Sequence, residues 1–316
     1  MNLGIKNLKK RLASIKDKNP WLYLLWHELL RARGRRELKK FSDIEAINRL
    51  YYAHAGRFPD LKYPTLFSEK LQWIKLHHQD PLMARCADKF EVRSYLQEKG
   101  YSELLNDLIA SYADIEDFDQ NALPSKFVLK GSHGSGWNII CHDRDSKNWR
   151  PWKRVMKSWL NHNIFWNGRE FVYKEIAPRM ICEKYLEDSS GGLADYKFFC
   201  FNGEPRFLQV NQGRDTNDHT QNFYDLDWKL QPFGKDLLPN PGVKINCPEN
   251  FDRMVEIARD LAQPFPFVRA DFYNVNGKVY FGELTFFPKS GMPDFVPSEY
   301  DAIVGEMLIL PQKRQP

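Results

Sequence analysis

No run of apolar residues in this chain of 316 approaches the roughly 20 that a membrane-spanning helix needs. The longest, Trp21 to Leu30, is ten residues and holds His27 and Glu28. The chain start is basic but lacks a small-residue cleavage site after an apolar run, so no secretory signal is expected. The five cysteines (Cys86, Cys141, Cys182, Cys200, Cys247) include no C-x-x-C pair, and the eight histidines form no set with zinc-ligand spacing. That usage suits a reducing, cytoplasmic compartment. There is no internal repeat and no low-complexity tract. No Ser/His/Asp or Cys/His arrangement suggests a protein nucleophile.

What is present is enough for a folded core. Hydrophobic residues make up 42% and charged residues 28%, in a length typical of about two domains. The net charge of +5 is unevenly spread. Residues 1–40 carry twelve Lys/Arg against three acids, whereas the remainder carries 34 basic against 38 acidic residues. The basic character therefore belongs to an N-terminal arm, and no nucleic-acid partner is expected for the body. Within the arm, Leu3, Leu8, Leu12 and Ile15 interleave with lysines, and a Trp/Leu-rich stretch follows Pro20. Such a helix can lie on an anionic membrane surface or pack on the body.

Four regions follow from the pattern: a basic amphipathic helical arm over 1–42, a mostly helical region over 43–125, and two strand-rich regions over 126–190 and 191–312. In the second, Ser68 is the expected N-cap of a helix through Trp73 and Leu76; Pro81 interrupts, and another helix runs from near Asp88 to Gly100. Strands are expected at Phe127–Leu129, Asn138–Cys141 and Met180–Cys182, hairpins about Asn202-Gly203 and Asn276-Gly277, and helices over 149–160 and 251–261. Residues 211–250 read as loop.

Two places carry chemistry. Lys130-Gly131-Ser132-His133-Gly134-Ser135-Gly136 joins two strands. It lacks the Gly-Lys-Ser/Thr ending of a P-loop, yet its glycines would let backbone N–H groups approach phosphate, with Lys130 adding an ammonium. In the last hairpin, Arg269 and Asp271 share one face of their strand, and Glu283 and Thr285 share one face of theirs. Paired carboxylates across a sheet repel, so a shared Mg²⁺ gives them a reason. The faces coincide for a loop of odd length. A two-residue Asn276-Gly277 turn would put the carboxylates on opposite faces and remove the site.

The order of these motifs resembles the ATP-grasp superfamily: Ala87-Asp88-Lys89, Val128-Leu129-Lys130 with its glycine loop, Ile181 to Leu186, then Arg269-x-Asp271 with Glu283-x-Thr285. Phe67 to Trp73, Asp195 to Gly203 and Phe281 to Thr285 are similar to the TupA-like ATP-grasp family, which is associated with teichuronopeptide and other bacterial surface polysaccharides. The resemblance spans roughly residues 40–310. It implies an α+β ATP-grasp fold, two α/β subdomains with antiparallel sheets clasping ATP after a helical N-terminal region. It implies Lys89 and Lys130 as phosphate-binding lysines and Gly131 to Gly136 as the loop over the triphosphate. Glu183, Lys184 and Leu186 would form the adenine hinge. Asp195, or else Glu187, would take the ribose position, and Lys197 would lie near the phosphates. Asp271, Glu283 and Thr285 would hold Mg²⁺, although relatives commonly carry Asn where Thr285 stands. Arg269 would steady an acyl phosphate.

The implied activity is an ATP-dependent carboxylate–amine ligase. Its carboxylate would sit on a glycan or lipid-linked precursor of capsule, O-antigen or teichuronopeptide type. The implied location is the cytoplasm, with residues 1–40 reaching the inner face of the membrane. The rival reading is a glycosyltransferase using a nucleotide sugar, for which Asp225-x-Asp227 and Asp143-x-Asp145 supply the required pattern.

Overall fold

The computed structural model describes residues 19–25, 38–189, 193–212, 220–235 and 238–312. Most of the basic arm, and with it the expected amphipathic helix over residues 3–15, lies outside the described residues. Residues 20–25 are helical. They dock on the body, with Tyr23 buried edge-on to Trp159 and Arg154 over the Trp21 ring at 4.6 Å.

Four helices follow: α1 (Asp43–Ala55), α2 (Phe67–His77), α3 (Pro81–Ala87) and α4 (Val92–Glu98). The α2 start differs from the sequence expectation. Leu66 occupies the N-cap, and the Glu69 carboxylate accepts from the backbone N–H of Leu66 and Thr65 at 3.3 and 3.4 Å. Ser68 lies inside the first turn, where its hydroxyl donates to Asp301 at 2.5 Å. A side chain spent on a tertiary partner cannot also cap its own helix. Pro81 likewise opens α3 instead of interrupting a helix, because the first helical position needs no N–H; Asp80 caps the Leu82 N–H at 2.9 Å.

A four-stranded antiparallel sheet comes next, in the order β1-β4-β2-β3. Its strands are β1 (Leu108–Tyr112), β2 (Phe127–Gly131), β3 (Asn138–Cys141) and β4 (Met180–Lys184). The sequence pattern missed β1, a short edge strand with Ile109 facing solvent, inside a stretch read as helical. Helix α5 (Trp149–Leu160) covers this sheet. Trp149 stacks on Phe127 at 5.5 Å and Trp159 on Trp137 at 6.0 Å.

The second sheet is antiparallel with the order β10-β9-β5-β6-β7. It comprises β5 (Ala194–Phe201), β6 (Glu204–Gln212) and β7 (Thr220–Asp225), then, beyond the short β8 (Gly234–Lys235), β9 (Phe267–Val275) and β10 (Lys278–Thr285). Strand β7 lies where the sequence read as loop. Thr220, Gln221 and Asn222 carry no apolar signal, although all but the intermediate Gln221 are buried. Helix α6 (Phe251–Ala262) covers one face through Met254, Ile257, Ala258 and Leu261. The other face is divided. Its lower part packs on α2, where Phe67 meets Phe267 at 4.8 Å and Phe201 at 5.7 Å. Its upper part is polar and faces the glycine loop.

Phe67 is fully buried at this junction. Phe67→Ala is expected to cost about 3–5 kcal/mol in denaturant unfolding, the range for a large aromatic removed from a core. Phe58→Ala, at a residue 62% exposed, should stay within about 0.5 kcal/mol.

Candidate active site

The β9–β10 hairpin does turn through two residues, Asn276 and Gly277, both at positive φ (51° and 80°). By strand parity alone this turn would separate Asp271 from Glu283. A β-bulge reverses that outcome. Phe281 pairs with Phe272, the register then shifts at Gly282, and Glu283 pairs with Asp271. A Cβ at Gly282 would stand 3.0 Å from the Asp271 carbonyl oxygen, which explains glycine at the bulge.

The register then extends across the sheet. Asp271 pairs with Lys197 on β5, and Lys197 with Gln209 on β6. Glu283, Asp271, Lys197 and Gln209 thus form one transverse row on the polar face. The next row is Tyr273, Asp195, Asn211 and Gln221.

Opposite charges interlock along these rows. The Arg269 guanidinium forks onto Asp271, Nε to Oδ1 and Nη2 to Oδ2, both at 2.7 Å. The same Nη2 lies 3.3 Å from Glu283 Oε1 and 3.0 Å from the Thr285 hydroxyl. Lys197 Nζ contacts Asp271 and lies 2.9 Å from Asp195. Lys89 Nζ stands 3.6 Å from Glu283. Burial alone would raise the Glu283 carboxyl pKa, but Lys89, Arg269 and Lys197 overcome it and hold the group at about 2. Arg269 is held firmly protonated; burial opposes its charge, but Asp271 and Glu283 outweigh that.

The glycine loop faces this cluster. Gly131 and Gly134 are required by packing, since a Cβ on either would come within 2.9 Å of the Trp137 ring. Lys89 Nζ donates to the Gly134 carbonyl at 2.6 Å, tying the loop to Glu283. A cleft of about 340 Å³ lies between loop and sheet. Of the residues expected at the site, Lys89, Lys130, Ser135, Gly136, Lys197, Arg269, Asp271 and Glu283 line it.

A family model described as TupA-like ATPgrasp matches residues 69–309. The chain belongs to the TupA-like ATP-grasp family. No curated protein matches it. Similar solved structures include D-alanine–D-alanine ligase from Bacillus anthracis complexed with ATP, at 15% identity over 70% of this chain and 63% of that one, with TM-score 0.38. L-amino acid ligase from Bacillus licheniformis has 12% identity over 81% and 48% of the two chains, with TM-score 0.37. This ATP-grasp chain thus spans between about half and two thirds of the length of these two solved relatives.

Other expected residues of the ATP-grasp site stand away from the cleft. His133 is buried: the Arg179 N–H donates to its Nδ1 at 3.2 Å, so Nε2–H donates to the Trp159 carbonyl at 2.9 Å. It anchors the loop. Ser132 is fully buried, and its backbone bonds Arg179 and Lys89. The Asp195 carboxylate is enclosed beside Lys197 and does not line the cleft. Glu183 is held by Lys130 at 2.6 Å and Arg93 at 3.6 Å, and lines a smaller cleft that adjoins through Lys89 and Lys130. Lys184 is exposed, and its backbone is committed to Asn106 and Asp107. Leu186 lies beyond the end of β4. Asp225 Oδ1 accepts from the N–H groups of Asp227 and Lys229 at 3.0 and 2.8 Å, and Asp143 from that of Asp145 at 3.1 Å. Both Asp-x-Asp motifs are therefore turn-forming.

Asn138, Gln209, Gln221, Lys235 and Tyr273 line the cleft without having been foreseen. Gln209 had a signal: Phe207-Leu208-Gln209-Val210-Asn211 sets two amides at period two in an apolar strand.

The Glu283 carboxyl, held below its ordinary value of 4.5, stabilises the fold at pH above that value. This contribution is lost as pH falls toward 2. Carboxylate titration by NMR should place Glu283 near 2, and Lys89→Met should move it upward.

Proposed function

We propose that this protein is an ATP-dependent carboxylate–amine ligase. The observation that carries the proposal is the transverse row, which sets Asp271 and Glu283 side by side beneath Lys89, Lys130 and the glycine loop. The triphosphate lies against that loop, with the Ser135–Gly136 backbone, Lys89 and Lys130 offsetting its charge. Among the described residues, no group of three or more His, Cys, Asp or Glu side chains stands in metal-binding geometry. The two carboxylates and the Thr285 hydroxyl nevertheless form a hard-oxygen set suited to Mg²⁺, and one Arg269 nitrogen already reaches all three. When bound there, Mg²⁺ supplies Lewis-acid stabilisation of phosphate charge.

The chain's own groups account for the remaining steps. Arg269 orients the substrate carboxylate and the phosphoryl group it receives. A carboxylate oxygen attacks the γ-phosphorus, the bond to the β-phosphate oxygen breaks, and acyl phosphate and ADP form. An amine then attacks the acyl carbon, inorganic phosphate departs, and the amine proton passes to solvent or phosphate. Closure of loop on sheet excludes water from the acyl phosphate.

The carboxylate is proposed to belong to a bacterial surface polysaccharide or its lipid-linked precursor, a setting supported by the family resemblance. The protein is placed in the cytoplasm, with residues 1–40 touching the anionic inner membrane surface through their twelve basic residues. Among the described residues, no helix is long and apolar enough to cross a membrane.

Asp271→Asn and Glu283→Gln should each lower carboxylate-dependent ADP release by at least about a hundredfold, while Asp225→Asn should leave it intact. Thermal-shift assays should show stabilisation by ATP with Mg²⁺ and none by UDP-sugars; the reverse pattern would overturn the ligase reading. Removing residues 1–40 should abolish sedimentation with anionic vesicles, and unchanged sedimentation would rule out that contact.

A further inference from the structure

On the polar face, the rows continue past the charged cluster into three side-chain amides. Gln209 and Asn211 on β6 are each 1% exposed, and Gln221 on β7 stands directly across from Asn211. Gln209 and Gln221 line the cleft. The three amides share only two hydrogen bonds, from Gln209 Nε2 and Gln221 Nε2 to the one Asn211 oxygen, at 3.0 and 3.4 Å. Gln209 Oε1, Gln221 Oε1 and Asn211 Nδ2 have no partner among the described residues. Rotating an amide exchanges donor for acceptor but leaves the group equally short of bonds. Buried polar groups left in this state are costly, so their bonds are completed by water in the cleft or by a partner from outside the chain that displaces it.

The chemistry narrows that partner. A carboxylate or phosphate only accepts and an ammonium only donates, so neither satisfies a set that holds both orphan acceptors and an orphan donor. An ammonium would also meet the surrounding cations Lys197, Lys235 and Arg269. A hydroxyl both donates and accepts. Gln209 pairs with Lys197, so the amides begin one strand beyond the charged cluster, about 4.8 Å away, and continue to the next strand. A sugar ring bridges such a step.

We propose that Gln209, Asn211 and Gln221 form a polyol subsite that selects a hydroxylated carboxylate, a sugar acid, whose carboxylate is held by Lys197 and Arg269. This rests on the ligase reading for the position of the carboxylate. It separates a sugar acid from a glutamyl side chain, which has no hydroxyls to offer.

The test is calorimetric binding to the full-length protein with a non-hydrolysable ATP analogue and Mg²⁺. The probes are glucuronate, glutamate and cyclohexanecarboxylate. Glucuronate should bind at least about tenfold more tightly than either other acid, the discrimination a site built for hydroxyls provides. Gln209→Leu and Gln221→Leu should each shrink that ratio to about twofold or less. Equal binding of the three acids by the wild type, a preference for glutamate, or a ratio retained in both variants would overturn the proposal. Stabilisation by the ATP analogue alone, read by thermal shift on the same samples, reports on the ligase reading and on the folding of the variants. Its failure in the wild type would sink that reading, whereas its presence without a glucuronate preference would sink only the subsite.

Discussion

The site depends on a one-residue irregularity. Without the bulge at Gly282, the tight turn at Asn276–Gly277 would send Glu283 to the opposite face of the sheet from Asp271. With it, Glu283 comes beside Asp271, and the row through Lys197 to Gln209 becomes continuous. The close approach of the Asp271 carbonyl makes glycine the fitting residue there. A turn that favours tight strand pairing and a site that needs odd parity are reconciled by one extra residue in one strand.

Bringing carboxylates together creates a problem of charge. Asp195, Asp271 and Glu283 are neighbours on one face of the sheet, and like charges so close repel. Lys197, Arg269 and Lys89 compensate, each reaching a different part of the cluster. The compensation also ties elements together. Lys89, just after α3, bridges β10 and the glycine loop, so the loop is positioned by the same charge that Glu283 requires. Lys130, Glu183 and Arg93 repeat the principle on the four-stranded sheet. A phosphate entering this cleft meets lysines already oriented by carboxylates, which is electrostatic preorganisation.

The glycine loop serves packing as well as access. Gly131 and Gly134 lie under the Trp137 ring, His133 turns inward, and only Ser135 and Gly136 of the expected loop residues present themselves to the cleft. The loop is rooted in the aromatic core that includes Trp149 and Trp159, and its exposed part is short.

Local information in the chain was enough for much of this. Short apolar runs marked β2, β5 and β6, period-two alternation marked β9 and β10, turn residues marked both hairpins, and the order of charged motifs pointed to the ATP-grasp family. These signals are legible because they arise between residues near in sequence. Strands β1 and β7 were hidden because one is a short edge and the other presents amides where a core strand presents valines. Ser68 and Pro81 were misjudged because the partner of one is remote and the local geometry of the other has two solutions. Whether Asp271 meets Glu283 and which amides go unpaired were decided by tertiary structure alone. Each depends on register and burial, which exist only once distant strands have paired.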